Sequence, residues 1–182
     1  MAALVFFSSS AATQVGLTGI KDSLDVGIAA WQAGGGTSIS AGLLTARAIL
    51  AGSTRANVPK LVVLLTDGQQ ESSYGGSTQA IADADTVKGD GTNIIVVGIG
   101  NGVDTSALQS ICSPPSSDYY FTTVDLGSLD TVQFTQAICD APLAPAPTPA
   151  PTPAPTPAPT PAPTVPSWNH VFSRVQATQL GI

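Results

Sequence analysis

The chain has 182 residues, 43% of them hydrophobic and 10% charged, with a formal net charge of −6 and a mean hydropathy of +0.26. That is enough apolar material for one real core, and the length points to a single domain. Six basic residues, scattered singly, form no stripe for phosphate contacts, which argues against nucleic acid as a partner.

Residues 3–8 read as a strand running into the Ser8-Ser9-Ser10 turn, and residues 13–17 as a second short strand, hairpin-paired to the first. The opening MAALVFFSSS superficially suggests a secretory leader. It lacks a basic region, however, and its apolar run is at the short limit, so a strand fits better. From 20 to 31, Leu24, Ile28 and Trp31 recur at helical spacing, with Asp22 or Ser23 available as a cap. Gly34-Gly35-Gly36-Thr37 follows. Three glycines ahead of a helix permit tight turns and close approach of main-chain N–H groups to a ligand, and equally describe a flexible linker. Residues 40–50 form the next helix, with Leu43, Leu44 and Ala48 on one face, and 53–59 a loop.

The stretch KLVVLLTDGQQ is the segment around which the chain is organised. Its middle, residues 61–65, is an unbroken apolar run too short for a helix, the pattern of a strand buried on both faces. It stops at Thr66-Asp67-Gly68, and a carboxylate at the C-terminal end of a buried strand is where open α/β sheets place ligand groups. The bland alternative is that Asp67 makes an Asx-turn. Beyond it, residues 77–87 are helical, stopped by Gly89-Asp90-Gly91, and NIIVVGI over 93–99 is another fully apolar strand. Residues 103–112 form a short helix ended by Pro114-Pro115, residues 119–124 a last strand and residues 128–138 a closing helix. Alternating strands and helices argue for parallel βαβ units with helices on both faces.

At Ala141 the composition changes. Residues 141–166 repeat Pro-Thr-Pro-Ala with no large apolar side chain to build a core, and are expected to be a polyproline II linker. At ~3.1 Å per residue this makes a stalk roughly 60 Å long. The last segment, 167–182, is too short to fold alone and reads as the start of another module. No apolar run approaches the ~20 residues of a membrane span. Cys112 and Cys139 have no zinc-ligand spacing and leave a single bridge open, while the one histidine, His170, lies outside the globular part, so no Ser-His or Cys-His catalytic pair can form there.

Two sites can be assembled. A dinucleotide site would use Gly98, Gly100 and Gly102 with Asp118 as the ribose-binding carboxylate, but the third glycine is misplaced and Asp118 precedes its strand. The other joins Thr37 to Asp67, hard oxygen donors on loops beside core elements, as Mg²⁺ or Mn²⁺ prefers. Ser38 and Ser40 add hydroxyls, which at a helix start are more often caps.

Taken in order, VFFSSSA, TQVGL, AGGGTSISAGLLTARAIL, KLVVLLTDGQQ, NIIVVGIG and DYYFTTVD resemble a von Willebrand factor type A domain over residues 2–140. The resemblance implies a doubly wound, Rossmann-like α/β fold with a mostly parallel sheet and helices on both faces. It implies a metal-ion-dependent adhesion site in which Thr37 and Asp67 are metal ligands, Asp67 usually through water, and it implies no enzymatic step. The family's first strand, central in its sheet and ending in Asp-X-Ser-X-Ser, has no counterpart ahead of Ala2. The expectation is therefore a domain over 1–140 truncated at its N-terminus, a fragment with its signal peptide lost and two strand edges unpaired. Mg²⁺ or Mn²⁺ would be held by the complete domain and weakly or not at all by this chain. The function implied is cation-dependent binding of an extracellular-matrix or cell-surface protein. The alternative is a structural matrix or wall protein with a vestigial cation site, and a nucleotide-dependent enzyme trails for want of a phosphate-binding loop.

Overall fold

A computed structural model of the chain describes residues 1–32, 34–55 and 58–140. The expected Pro-Thr-Pro-Ala linker and terminal segment lie outside these residues. The chain opens with a hairpin of β1 (Ala2–Phe7) and β2 (Ala11–Thr18), antiparallel, with Phe7 opposite Ala11 and Ala2 opposite Thr18. β2 runs beyond the expected 13–17 because backbone pairing to β1, not apolar side chains, sets its length: Ala12, Thr13 and Gln14 are exposed.

Helix α1 (Lys21–Ala29) starts from Ile20 with no side-chain cap. Asp22 and Ser23, the expected caps, fall inside its first turn, where Asp22 still suits the positive end of the helix dipole. α2 (Ile39–Ala51) is capped by Ser38, whose hydroxyl accepts from the Ala41 N–H at 3.4 Å. It turns Ile39 and Leu43 inward.

The second half alternates as the sequence predicts. β3 (Lys60–Thr66), α3 (Gly76–Gly89), β4 (Thr92–Ile99), α4 (Thr105–Ile111), α5 (Ser116–Tyr119), β5 (Tyr120–Thr123) and α6 (Thr131–Asp140) follow one another. The sheet order is β3-β4-β5, all parallel. The single turn α5 is not foreseen, since Pro114-Pro115 reads as a stop; prolines that end one helix also stand well ahead of the next. α6 begins at Thr131 rather than 128 because the Asp130 carboxylate accepts from the Val132 and Gln133 N–H groups, both at 3.0 Å.

β4 is the middle of the core. Ile94, Ile95, Val96, Val97 and Gly98 are buried in succession, so both of its faces are covered. Leu64, Ala80, Ala84, Val87, Leu108 and Ile111 join the same cluster. Phe134 of α6 packs edge-on against Phe121 of β5, with ring centroids 5.7 Å apart. This is the α/β architecture read from the sequence, with a divided sheet: among the described residues no strand joins β1-β2 to β3-β4-β5. The division shows in burial. No residue of β1 is fully buried, and Leu65 of β3 is 42% exposed. A two-stranded hairpin is marginal alone, and close packing on helices holds it. A side chain at Gly42 of α2 would meet the Phe7 ring at 3.0 Å, and one at Gly27 of α1 would meet Val15 at 2.6 Å.

Two outcomes test this account. Ile95→Ala should lower stability by about 2–5 kcal/mol and Leu65→Ala by less than about 1 kcal/mol, read from urea unfolding midpoints. Separately, the Asp104 carboxylate caps α4, accepting from the Ala107 N–H at 3.0 Å, the Ser106 hydroxyl at 2.9 Å and the Ser77 hydroxyl at 3.3 Å. These bonds, the Ala107 N–H first, hold its pKa below the ordinary aspartate value. A lowered folded pKa contributes stability above the unfolded pKa that is lost as pH falls through the folded one. Asp104→Asn should therefore weaken the domain at neutral pH and flatten its loss of stability in acid.

Candidate functional site

β1 and β3 both deliver their C-terminal ends to the loop that precedes α2. On the β1 side, the Ser38 N–H donates to the Ser8 carbonyl at 2.7 Å, and the Gly36 N–H donates to the Ser9 hydroxyl at 2.9 Å. On the β3 side, Asp67 follows the strand directly. Buried Thr66 tightens the turn, its hydroxyl donating to the Gly68 carbonyl at 3.0 Å. The glycine run is used locally. Gly35 adopts φ +86°, open to glycine at little strain, and Gly36 leaves room for a carboxylate.

That carboxylate belongs to Glu71. Its Oε1 accepts the Thr37 N–H at 3.0 Å, while the Glu71 N–H donates to the Thr37 carbonyl, also at 3.0 Å. A Cβ at Gly36 would stand 2.5 Å from Oε1 and 2.8 Å from Oε2. The Ser73 hydroxyl donates to Oε2 at 3.3 Å. Behind this pair, buried Gln70 accepts the Ser40 N–H at 3.2 Å and donates to the Ser40 hydroxyl at 3.2 Å and the Tyr74 carbonyl at 2.7 Å. Ser38 and Ser40 thus serve the start of α2, as their position suggests.

Thr37 is thereby presented to the end of β3. A Cβ at Gly68 would stand 2.9 Å from the Thr37 Oγ1, so the hydroxyl lies against the residue next to Asp67. The Asp67 side chain is exposed at the same rim. The loop after β4 completes the surround, since a Cβ at Gly102 would sit 3.0 Å from the Asp67 carbonyl. Asp67, Glu71 and Asp104 lie on these loops, and no lysine or arginine occurs in 34–38, 67–77 or 100–106. The rim therefore favours a cation over an anion.

The alternative nucleotide reading finds no support in this geometry. Gly98 is packed inside β4, where an added Cβ would meet Leu108 and Tyr120 at 3.2 Å, and the Gly100 N–H is given to the Thr123 carbonyl at 2.7 Å. Asp118 stands in α5, ahead of β5.

The family model described as von Willebrand factor type A domain matches residues 1–135. The chain belongs to this family. Among curated relatives of this von Willebrand factor type A domain is the collagen alpha-4(VI) chain of Mus musculus, 37% identical over 113 residues. That match covers 58% of this chain and 4% of the collagen. Among solved structures, proximal thread matrix protein 1 from the mussel byssus, with a zinc-occupied MIDAS motif, aligns at TM-score 0.61 and 30% identity. It covers 76% of this chain and 34% of the mussel protein. Manganese-loaded Plasmodium vivax TRAP protein shares the fold, at TM-score 0.54 and 21% identity over 69% of this chain and 52% of its own. This chain therefore spans only a small part of the relatives it matches.

The donors in this von Willebrand factor type A domain are few. Among the described residues no three His, Cys, Asp or Glu side chains gather into a cluster. The Thr37 hydroxyl and the Asp67 carboxylate are nonetheless hard donors of the kind that suits Mg²⁺ or Mn²⁺, which keep several waters. The fit is to a weakly held cation. Glu71 was not singled out from the sequence, although it lies four residues after Asp67. The available signal was the need of the glycine loop's N–H groups for a partner. Cys112 is buried, Cys139 exposed, and both are free.

If Glu71 positions Thr37, Glu71→Ala should destabilise the domain by about 1 kcal/mol and speed hydrogen exchange at the Thr37 amide. Glu71→Gln, which keeps an acceptor, should restore most of the protection. Unchanged Thr37 exchange in both variants would remove Glu71 from this role.

Proposed function

We propose that this domain is a non-enzymatic binding module outside the cell. It captures a protein ligand, a matrix or cell-surface component, at the rim shared by Thr37 and Asp67, with a divalent cation between protein and ligand. The observation that carries this reading is the Thr37 hydroxyl seated against Gly68, beside an exposed aspartate on a rim without basic side chains. Mg²⁺ or Mn²⁺ would be held by Thr37 and Asp67, with solvent or ligand oxygens completing the shell. The cation supplies an electrophilic anchor for a ligand carboxylate. The chain's own residues hold the two donors in place: Glu71 and Gln70 fix the loop from below, and Ser8 and Ser9 fix it from the hairpin. Kinship to a collagen chain and a byssal matrix protein supports an extracellular setting. No described helix is long and apolar enough to cross a membrane.

The scarcity of donors favours a second reading, a structural matrix or wall protein in which the cation site is vestigial. Titration separates the two. Under the first reading, Mn²⁺ binds with a dissociation constant of about 10⁻⁴ to 10⁻³ M, the range of weak oxygen-donor sites on extracellular modules. Asp67→Ala abolishes that binding, and retention on a collagen-coated surface is lost in EDTA. Retention indifferent to EDTA and to Asp67→Ala would exclude cation-dependent capture and leave the structural role.

A further inference from the structure

The divided sheet presents two strand edges that the fold does not use. β3 pairs along its whole length with β4 and with no other strand, and β1 pairs only with β2. The two edges lie side by side and point the same way. At their C-terminal ends the loop 34–38 bridges them, through Ser38 to Ser8 and through Thr37 to Gly68. At their N-terminal ends Met1, next to β1, lines the same small cavity as Val58, Pro59 and Lys60, which lead into β3. α2 packs on both, with Gly42 under Phe7 and Leu43 in the same core as Leu64.

We propose that the free edges of β1 and β3 together accept one extended strand from another polypeptide, apolar on both faces, running parallel to both. Three features select that occupant. Between two edges of the same direction, an entering strand completes parallel ladders on either side, as β4 does between β3 and β5. β1 carries no charge and β3 only Lys60 at its start, so the strand must be uncharged over about six residues, the length of an ordinary strand. Strands buried on both faces read as continuous apolar runs, and the half-buried Leu61, Val62 and Val63 with the exposed Leu65 await such a neighbour. Edges meant to stay solvated are usually guarded by inward charges, prolines or bulges. Beyond Pro59 and Lys60 at its mouth, β3 has none of these. A second copy of this chain is a poor fit, because its apolar strands are already paired and it brings another edge rather than a free strand.

The test uses the full chain and three fluorescein-labelled peptides with solubilising lysines at their ends. The first copies residues 92–99, TNIIVVGI, this chain's own strand with apolar residues on both faces. The second is the same peptide N-methylated at alternate backbone nitrogens, and the third copies the one-faced strand 11–18, AATQVGLT. The first should bind one to one and slow hydrogen exchange at alternate amides of residues 61–65 and along β1. The second and third should bind at least about tenfold more weakly, as loss of ladder bonds or of one apolar face requires. Unchanged exchange in β3, or equal binding of the N-methylated peptide, overturns the proposal. So does a protein that is already a dimer with those amides protected, since the occupant is then a second copy.

Discussion

Two hydrogen bonds exchanged between Thr37 and Glu71 fix the relation between the loop before α2 and the loop after β3. The same loop is tied to the hairpin through Ser8 and Ser9. Without this stitch, the rim where two separately hydrogen-bonded sheets come together would rest on helix packing alone. The bond from a carboxylate to a main-chain N–H is charge-assisted, and Gly36 is the one residue type that leaves space for it. Placement of the Thr37 hydroxyl, the seat of Asp67 and the start of α2 all follow from that exchange. The loop is thus a structural joint first and a ligand-facing surface second.

Burial grades across the molecule in a way that the sheet's division explains. β4, with a strand on either side and helices above and below, is dry over five consecutive residues, whereas β3, with one neighbour, is not. Equally apolar sequences therefore meet different environments. KLVVLLT and TNIIVVGI are alike as strings, and only strand order separates a core strand from a margin. The stability of the domain should accordingly be concentrated around β4, α2, α3 and α4, with the hairpin and α1 leaning on that block.

Much of this was legible in the amino-acid order, and the parts that were not share a cause. Unbroken apolar runs announced β3 and β4 because strands buried on both faces need no alternation. The Thr66-Asp67-Gly68 stop and the glycine run before Thr37 located the rim, because turns and close approaches restrict residue type there. What escaped depends on partners distant in sequence. Glu71 acts on a loop 34 residues upstream, and its local context, a polar stretch after a turn, says nothing of that. The start of α1 at Lys21 was misplaced because a nearby Asp and Ser looked like caps while the chain began its helix from Ile20. Such an uncapped start draws on tertiary packing, which the helix finds through Gly27 against the hairpin.

The hairpin carries one further consequence. Trp31, just beyond α1, leans on the Phe6 ring of β1 with centroids 5.7 Å apart, and half of its surface is open to solvent. An indole poised between an aromatic neighbour and water shifts its emission when either changes. The chain therefore carries an intrinsic optical gauge at its least buried strand, and any event that straightens, covers or frays that margin will register as a change of colour.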